Sequence, residues 1–371
     1  MPMLASSVRL TLPVLLGLTV ALSACSNQPD KDEPPFISTQ TYLKSAYAAP
    51  AHFKFASYDT RWAWGNEAQG KQEVDLSLLV PEGGKNVPVI IYLPGLGEGA
   101  NGGELWRQTW ADAGYAVLSV QATRDNASIY NTSNARDGAF RTIAANAFAD
   151  APAASRVDVV NRVLSEARRR GLAGEAGFAA LDTQKVAVAG FDLGAQTAAA
   201  LSGERQPGQP RPVDWKPLAT ILLSPYVPGG VDNRRYSQID TPLLVITGPL
   251  DEDPFSWIAS AQQRFSLFNG LPHDGYQLTL NDATHSLLSG AIAKVKKSEK
   301  KPPSADEELT GSERRPERPA NPGFDARQAG SVAAMTIAFL DARVKQSTTA
   351  QQWLDGKAQA WLEPVGTLQH K

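Results

Sequence analysis

The chain reads Val186-Ala187-Val188-Ala189-Gly190-Phe191-Asp192-Leu193-Gly194-Ala195, which predicts a strand, a sharp turn and a helix in immediate succession. This segment matches G-x-S-x-G, in which a nucleophile stands on a strained turn, except that Asp192 occupies the serine position. Gly190 and Gly194 suit such a turn, because side chains there would clash where strand and helix approach each other. A plainer interpretation is that Asp192 caps the helix beginning at Leu193, although a cap would not require both glycines.

Strand and helix patterns alternate on both sides of this segment. The inner predicted strands are short apolar runs, as expected for strands buried on both faces of a mostly parallel sheet. The predicted strands are Glu73–Val80, Val87–Leu93, Tyr115–Gln121, Lys185–Ala189, Ala219–Ser224, Leu243–Thr247 and Tyr276–Leu280. The predicted helices are Glu104–Ala113, Ala154–Arg170, Leu193–Ser202, Phe255–Phe268 and Arg327–Lys345. Their alternation predicts an α/β fold with a doubly wound, mostly parallel sheet.

Two further polar sites follow predicted strands, at the sheet edge where α/β proteins place their chemistry. Asp251 comes after the next-to-last strand, and its neighbours Glu252 and Asp253 are rival candidates. A solvated acidic loop is the plainer interpretation of this segment. His285 follows the last predicted strand. The order Asp192, Asp251, His285 is the nucleophile, acid, histidine order of α/β-hydrolases, so we predict that His285 is the base and that Asp251 orients it.

A glycine-rich loop, Leu93-Pro94-Gly95-Leu96-Gly97-Glu98-Gly99, follows an early strand. In an α/β-hydrolase this loop supplies one backbone N–H to the oxyanion hole, so we predict Leu96 as one donor and Leu193 as the other. The loop lacks both G-x-G-x-x-G and a Lys-Ser/Thr ending, which argues against a nucleotide site. No cofactor or metal is predicted, since two acids and one histidine suit a proton relay better than a coordination sphere.

Composition describes an ordinary globular protein, with 42% hydrophobic and 20% charged residues. A net charge of -2 and a pI of about 6.1 give no sign of the excess positive charge that nucleic-acid binding requires. The lysines between Lys294 and Lys301 are followed at once by acidic residues and prolines, which is typical of a solvated loop. The expected partner is a small-molecule substrate, and the oligomeric state stays open.

The N-terminal residues predict where in the cell the protein is located. An apolar run, Leu10–Ala21, follows the single positive charge of Arg9 and is too short to span a bilayer comfortably. It ends in Leu22-Ser23-Ala24-Cys25, which resembles the processing box of bacterial lipoproteins, and Cys25 is the only cysteine. The resemblance implies cleavage before Cys25, acylation and stable membrane anchoring, while Ser26 favours the outer membrane, facing the periplasm. An ordinary secretory signal with an incidental cysteine is the alternative.

These patterns divide the chain into segments. Residues 1–24 are predicted to be a signal peptide and residues 25–50 a lipid-anchored, proline-containing tether. Residues 51–362 are predicted to be one α/β-hydrolase domain. Within it, residues 297–324 read as a flexible loop insertion, because loops of that length are uncommon unless functional or disordered. Residues 363–371 are left as a tail.

The chain resembles the bacterial dienelactone-hydrolase-like branch related to platelet-activating-factor acetylhydrolases, from about residue 87 to 362. The matching segments are the early loop, against S-H-G-L-G, the segment His285–Gly290, against H-x-x-F-x-G, and the final helix with Ala338–Ala342 followed by Trp353 and Leu354. The resemblance implies an α/β-hydrolase fold without a large cap. Pro94 replaces the family's histidine and Asp192 its serine, so the family's esterase activity does not carry over automatically.

An aspartate nucleophile changes which electrophiles can be hydrolysed. At an sp³ carbon it leaves an alkyl ester, whose carbonyl His285-activated water can attack. At a carboxylic ester it must form a mixed anhydride while expelling a poor leaving group. Leu193 stands where dehalogenases carry a halide-binding Trp, and the gap Ser224–Thr241 is too short for the cap of epoxide hydrolases. Tyr130 could supply an acid, although a packing or surface role is favoured.

Three functions therefore stay open at this point. The first is a hydrolase with an Asp192 nucleophile acting on an unidentified electrophile. The second is an ester or lactone hydrolase in which Asp192 or His285 acts on water as a general base. The third is a catalytically inactive envelope protein that uses the pocket to bind a ligand or partner.

Overall fold

A nine-stranded sheet forms the centre of the domain. The computed structural model describes residues 38–65, 71–205, 213, 215–228, 233–291 and 326–371. The strands are β1 (Phe55–Trp64), β2 (Gln72–Pro81), β3 (Val87–Leu93), β4 (Ala116–Ala122), β5 (Leu181–Phe191), β6 (Thr220–Leu223), β7 (Leu243–Thr247), β8 (Gly275–Leu280) and β9 (Gly366–His370). The seven predicted strands are all present, with ends shifted by at most four residues, and β1 and β9 are additional.

The strand order is β1-β2-β4-β3-β5-β6-β7-β8-β9. The strands from β3 to β8 pair with one another in parallel fashion. The pairs β1–β2 and β2–β4 on one side and β8–β9 on the other are antiparallel. A parallel sheet that reverses strand order next to β3 is doubly wound, with its crevice at the carboxyl ends of the strands. The chain has the α/β-hydrolase fold, and the described residues contain no large cap.

Helices cover both faces of the sheet. They are α1 (Thr39–Lys44), α2 (Glu104–Asp112), α3 (Ser133–Arg136), α4 (Phe140–Ala147), α5 (Asp150–Leu172), α6 (Leu193–Leu201), α7 (Ser266–Gly270), α8 (His285–Leu288), α9 (Ala326–Arg343), α10 (Thr348–Gly356) and α11 (Ala358–Leu362). Alternate β5 side chains enter opposite cores: Ala187 and Ala189 pack with α2 and α9, and Val186 and Val188 pack with α5 and α6. This explains why the inner strands read as unbroken apolar runs.

The helix predicted over Phe255–Phe268 is wrong in its first half. The carboxylate of Asp253 accepts hydrogen bonds from the backbone N–H groups of Phe255, Trp257 and Ile258, at 2.7 to 2.9 Å. A side chain that takes up these donors offers the backbone an alternative to helical bonding. Helical structure begins only at Ala261, with a 3₁₀ turn that continues into α7. The other predicted helices are present.

Two predicted domain boundaries differ from the structure. Tyr42, placed in the tether over 25–50, is buried in the core, where its ring stacks on Trp361 with centroids 4.7 Å apart. The indole of Trp361 also donates to the carbonyl of Tyr42 at 3.0 Å. The tail predicted over 363–371 instead contains β9, which pairs with β8. Both segments lack a long periodic pattern, and tertiary packing orders them.

Some predictions concern residues that the structure does not describe. Cys25, the signal peptide over 1–24 and the insertion over 297–324 lie outside the described residues. Among the helices of the described part, none is both long and apolar enough to cross a membrane.

Candidate active site

Asp192 stands on the turn between β5 and α6. Its backbone has φ 50° and ψ -110°, which is a strained conformation for a residue with a side chain. A Cβ at Gly190 would overlap the carbonyl oxygen of Gly194, and a Cβ at Gly194 would overlap that of Leu93. The Asp192 side chain makes no capping hydrogen bond to α6. The helix-cap interpretation is therefore wrong, and the two glycines are required by close backbone contacts.

A buried arginine fixes the first turn of α6. Arg156 is 7% exposed and donates to the side chains of Gln196 and Thr197, at 2.6 and 2.9 Å, and to the carbonyl of Ala147 at 2.9 Å. Gln196 in turn donates to the carbonyl of Phe148 at 2.8 Å. These bonds tie α6 to the segment joining α4 and α5. The strained turn is thus held from the helix side as well as from the strand side.

Asp251 is the acid that meets the histidine. Its Oδ1 lies 3.0 Å from His285 Nδ1, and its side chain is fully buried. Glu252 is exposed, and Asp253 is occupied by the backbone N–H groups described above. Ser224, at the end of β6, donates to Asp251 Oδ1 at 2.7 Å and lies 2.9 Å from His285 Nδ1. An acid at Nδ1 places the proton there and leaves Nε2 as the basic nitrogen.

Asp251 is held as an anion by the groups around it. Thr247 donates to Oδ2 at 2.8 Å, and the fully buried Arg264 lies 3.2 Å from the same oxygen. Burial by itself raises the pKa of Asp251, but the hydrogen bond to His285, the charge of Arg264 and the Ser224 hydroxyl outweigh it and lower that pKa. The interpretation of this segment as a solvated acidic loop is wrong for Asp251.

The glycine-rich loop delivers its amide to Asp192. The Leu96 N–H donates to Asp192 Oδ2 at 3.2 Å. Among the described residues, no acceptor meets the N–H of Leu193, the second predicted donor. Gln121 clamps the loop by donating to the carbonyls of Gly95 and Glu98, at 3.1 and 2.9 Å. One oxygen of Asp192 therefore already lies where an oxyanion would be held.

A second carboxyl group lies beside Asp192. Glu98 Oε2 accepts a hydrogen bond from the Gly95 N–H at 2.8 Å. Burial raises the pKa of Glu98 to about 7, with a further upward contribution from the charge of Asp192. Burial also raises the pKa of Asp192, while the charge of His285 acts in the opposite direction. Asp192, Glu98 and His285 are thus electrostatically linked.

These groups open into one cavity of about 560 Å³. Its wall is mostly apolar and aromatic, and it is lined by Leu96, Glu98, Tyr130, Phe140, Phe191, Asp192, Leu250, Glu252, Pro254, Phe255, Thr284, His285, Ser286 and Ser289. Tyr130 stacks on Phe255 with ring centroids 6.5 Å apart, and its exposed fraction is 48%. The favoured packing role is therefore present, and the ring also faces the cavity. Such an enclosure suits a small, largely apolar molecule.

Sequence reasoning missed the groups that support the site. No sequence motif marks these supporting residues, which are Ser224, Thr247, Arg264 and Gln121. Two of them, Ser224 and Thr247, do lie at the end of a strand that leads to the site. Glu98 belongs to the glycine-rich loop, but no sequence pattern marks it as an acid of the site. Within the described part of the chain, no group of three or more His, Cys, Asp or Glu residues is arranged to hold a metal ion.

No family model matches the chain, and a search of curated proteins found no match. The fold and the geometry around Asp192 are therefore the basis for the function.

Proposed function

We propose that this protein is a hydrolase in which the Asp192 carboxylate attacks an sp³ carbon of a small uncharged electrophile. His285 then activates water, and Asp251 orients His285. One observation carries the proposal: Asp192 Oδ2 accepts the Leu96 N–H at 3.2 Å, while Oδ1 has no hydrogen-bond partner among the described residues. One oxygen is thus fixed and the other is left for the substrate.

The first step forms an ester between Asp192 and the substrate carbon. Oδ1 displaces the leaving group, and the negative charge of the carboxylate is consumed as the C–O bond forms. The amide of Leu96 stays on Oδ2, which becomes the carbonyl oxygen of the ester. No rearrangement of the loop is needed between the two steps, which favours a preorganised site.

The second step hydrolyses that ester. Water loses a proton to Nε2 of His285 and attacks the carbonyl carbon of the Asp192 ester. Negative charge develops on Oδ2, where the N–H groups of Leu96 and Leu193 are available to stabilise it. Collapse releases the alcohol oxygen and regenerates the carboxylate. The Asp251 charge stabilises the His285 cation formed in between.

The same geometry disfavours ordinary ester hydrolysis. A substrate carbonyl would need the Leu96 amide that Asp192 Oδ2 already occupies. Attack on an ester would also produce a mixed anhydride by expelling an alkoxide, which is the poorer of the two leaving groups. Membership of the dienelactone-hydrolase-like branch, also a proposal, is compatible with the fold but would then involve a changed reaction.

Isotope incorporation tests the nucleophile directly. A single turnover of styrene oxide or bromoethane in heavy-oxygen water should place one heavy oxygen in the Asp192 carboxylate, because water attacks the carbonyl carbon of the ester. The measurement is the mass of the peptide containing Asp192 after digestion. The product oxygen should be unlabelled in that first turnover.

Asp251 and Glu98 provide internal controls, since their peptides should remain unlabelled in the same digest. Turnover of either probe with the heavy oxygen found only in the product would contradict an Asp192 ester. Turnover of phenyl acetate alone, without label on Asp192, would favour the ester hydrolase with a general base. If none of the probes is turned over, the result would favour a binding protein.

We also propose that the enzyme is anchored by lipid at Cys25 in the bacterial envelope, on the residues of the processing box. Expressed in a Gram-negative bacterium, the full chain should incorporate labelled palmitate and sediment with the outer membrane. Cys25→Ser should abolish incorporation, because serine lacks the thiol that receives the lipid. Ser23→Ala is a matched control that keeps the thiol, and palmitate in the Cys25→Ser protein would contradict the assignment.

A further inference from the structure

We infer that Glu98 is the acid that protonates the leaving oxygen, and that the substrate class is therefore an epoxide carrying an apolar substituent. This inference rests on the proposed function, in which Asp192 is the nucleophile. It adds a catalytic residue that donates a proton in the first step.

Consecutive amides hold the two carboxyl groups side by side. The Gly95 N–H donates to Glu98 Oε2 at 2.8 Å, and the next N–H, of Leu96, donates to Asp192 Oδ2 at 3.2 Å. Both acids line the same cavity. Glu98 Oε1 has no hydrogen-bond partner among the described residues, so it is available to a substrate oxygen. Back-side attack by Asp192 Oδ1 directs the leaving oxygen away from Asp192 and into this cavity, and Glu98 is an acid that lines the cavity.

Two neighbouring carboxyl groups in a partly desolvated wall favour sharing a single proton. The titratable groups that act on Glu98 are Asp192, His285, Tyr130 and Tyr92. No lysine or arginine lines the cavity within the described part of the chain. With the pKa of Glu98 raised to about 7, about half of the Glu98 carboxyl groups carry a proton at neutral pH, so the protonated acid is available there while Asp192 supplies the anion.

The step balances with these groups alone. Asp192 Oδ1 forms a bond to an epoxide carbon, the C–O bond of the ring breaks, and the ring oxygen takes the proton of Glu98. Hydrolysis of the ester by water, with His285 as base, then releases a diol and restores Asp192. Glu98, now an anion, regains a proton from solvent. The net reaction is epoxide plus water to diol.

Other leaving groups fit the cavity less well. A halide leaves without a proton but needs N–H donors, and the described cavity wall carries no indole N–H. A substrate bearing its own carboxylate would face the acidic groups of Asp192, Glu98 and Glu252. The aromatic surface of Phe140, Phe255 and Phe191 instead favours an uncharged, apolar substituent.

Glu98→Gln tests the role, because its amide oxygen can still accept the Gly95 N–H while the acidic proton is lost. We expect styrene oxide turnover to fall about 100-fold, a usual contribution of general acid catalysis. Bromoethane turnover, which needs no proton, should change less than twofold, and heavy oxygen should still enter Asp192. Glu82→Gln, which removes an exposed carboxylate between β2 and β3 and outside the cavity lining, should leave both rates unchanged.

The pH profile provides a second measurement on the unmodified enzyme. Epoxide turnover should fall as the pH rises above about 7, because Glu98 then loses its proton. Glu98→Gln should abolish this alkaline limb of the pH profile, whereas Tyr130→Phe should retain it. An unchanged epoxide rate in Glu98→Gln, or a limb that disappears in Tyr130→Phe instead, would overturn the role of Glu98.

The two probes also test the substrate class separately from the nucleophile. Turnover of bromoethane with label on Asp192, together with no turnover of styrene oxide, would overturn the epoxide assignment while leaving the proposed nucleophile intact. Absence of label on Asp192 with both probes would overturn the proposed function and this inference together. If Glu98→Gln fails to fold, the pH profile of the unmodified enzyme tests the role of Glu98. Epoxide turnover that does not fall above about pH 7 would then count against Glu98.

Discussion

His285→Gln should convert the protein into a form that accumulates the Asp192 ester. The first step needs the Asp192 carboxylate and does not use the imidazole, so alkylation should proceed. The second step loses its base, so steady-state turnover should fall about 1000-fold, within the range of general base catalysis. Intact-protein mass spectrometry after mixing with styrene oxide or bromoethane should reveal one added substrate mass. No burst of the alcohol or diol product is expected, because it leaves only after the ester is hydrolysed. With bromoethane, bromide leaves in the first step, so a burst of bromide equal to the enzyme concentration should appear.

The fold should tolerate this change. The His285 side chain is 15% exposed, and Asp251 keeps its bonds from Ser224, Thr247 and Arg264. His273→Gln is the matched control, since this exposed residue precedes β8 and should affect neither turnover nor mass. Full activity of His285→Gln would contradict the proposed base. Loss of activity with no adduct would mean that His285 acts before the ester forms.

The three candidate residues could be picked out from the sequence because each carries a short-range signal. Asp192 lies between two glycines whose spacing reflects backbone contact, and the structure explains both. Asp251 and His285 follow buried apolar strands, and parallel strands bring their carboxyl ends to one sheet edge. An isolated bridge between Leu250 and Thr284 joins the two loops directly. Chain order along the sheet was therefore sufficient to bring these residues together.

The supporting groups could not be predicted in the same way. Arg264 reaches Asp251 only because the segment after Asp253 is turned by side-chain bonds, where the periodicity had predicted a helix. Ser224 has φ 48°, which no local pattern indicated, and this turn places its hydroxyl between acid and histidine. The outer strands β1 and β9 were not predicted because edge strands are half exposed and lack a continuous apolar run.

Asp251, which lies 3.0 Å from His285 Nδ1, is also one half of a buried ion pair with Arg264, so Asp251→Asn should reduce both activity and stability. Without the carboxylate, His285 loses the partner that fixes its Nδ1 proton and stabilises its cation. In the well-studied serine-protease triad the same change lowers kcat about 10⁴-fold, and we expect a loss of about 10³-fold or more here. The measurement is turnover of whichever probe labels Asp192.

Stability should fall because Arg264 would keep its charge without a counter-ion. Both side chains are fully buried, and Arg264 Nη2 already has no hydrogen-bond partner in the described structure. Its remaining bonds go to the carbonyls of Ser224, Pro225 and Asp251, which carry no net charge. Removing one member of a buried pair costs about 3–5 kcal/mol, so urea unfolding at neutral pH should show a loss of that order. Glu252→Gln, at the exposed neighbour, should change the free energy of unfolding by less than about 0.5 kcal/mol.

The pH dependence separates a loss of charge from a loss of packing. The folded-state pKa of Asp251 lies below its ordinary value, so its stabilising charge is fully present above the unfolded-state pKa of about 3.9. That contribution disappears as the pH falls through the folded-state pKa, because the native carboxyl then takes up a proton. The gap in unfolding free energy between the unmodified protein and Asp251→Asn should thus be constant near neutrality and shrink in acid. A gap that stays unchanged in acid would mean that Asp251 stabilises the fold through packing, and that the Arg264 charge is neutralised elsewhere.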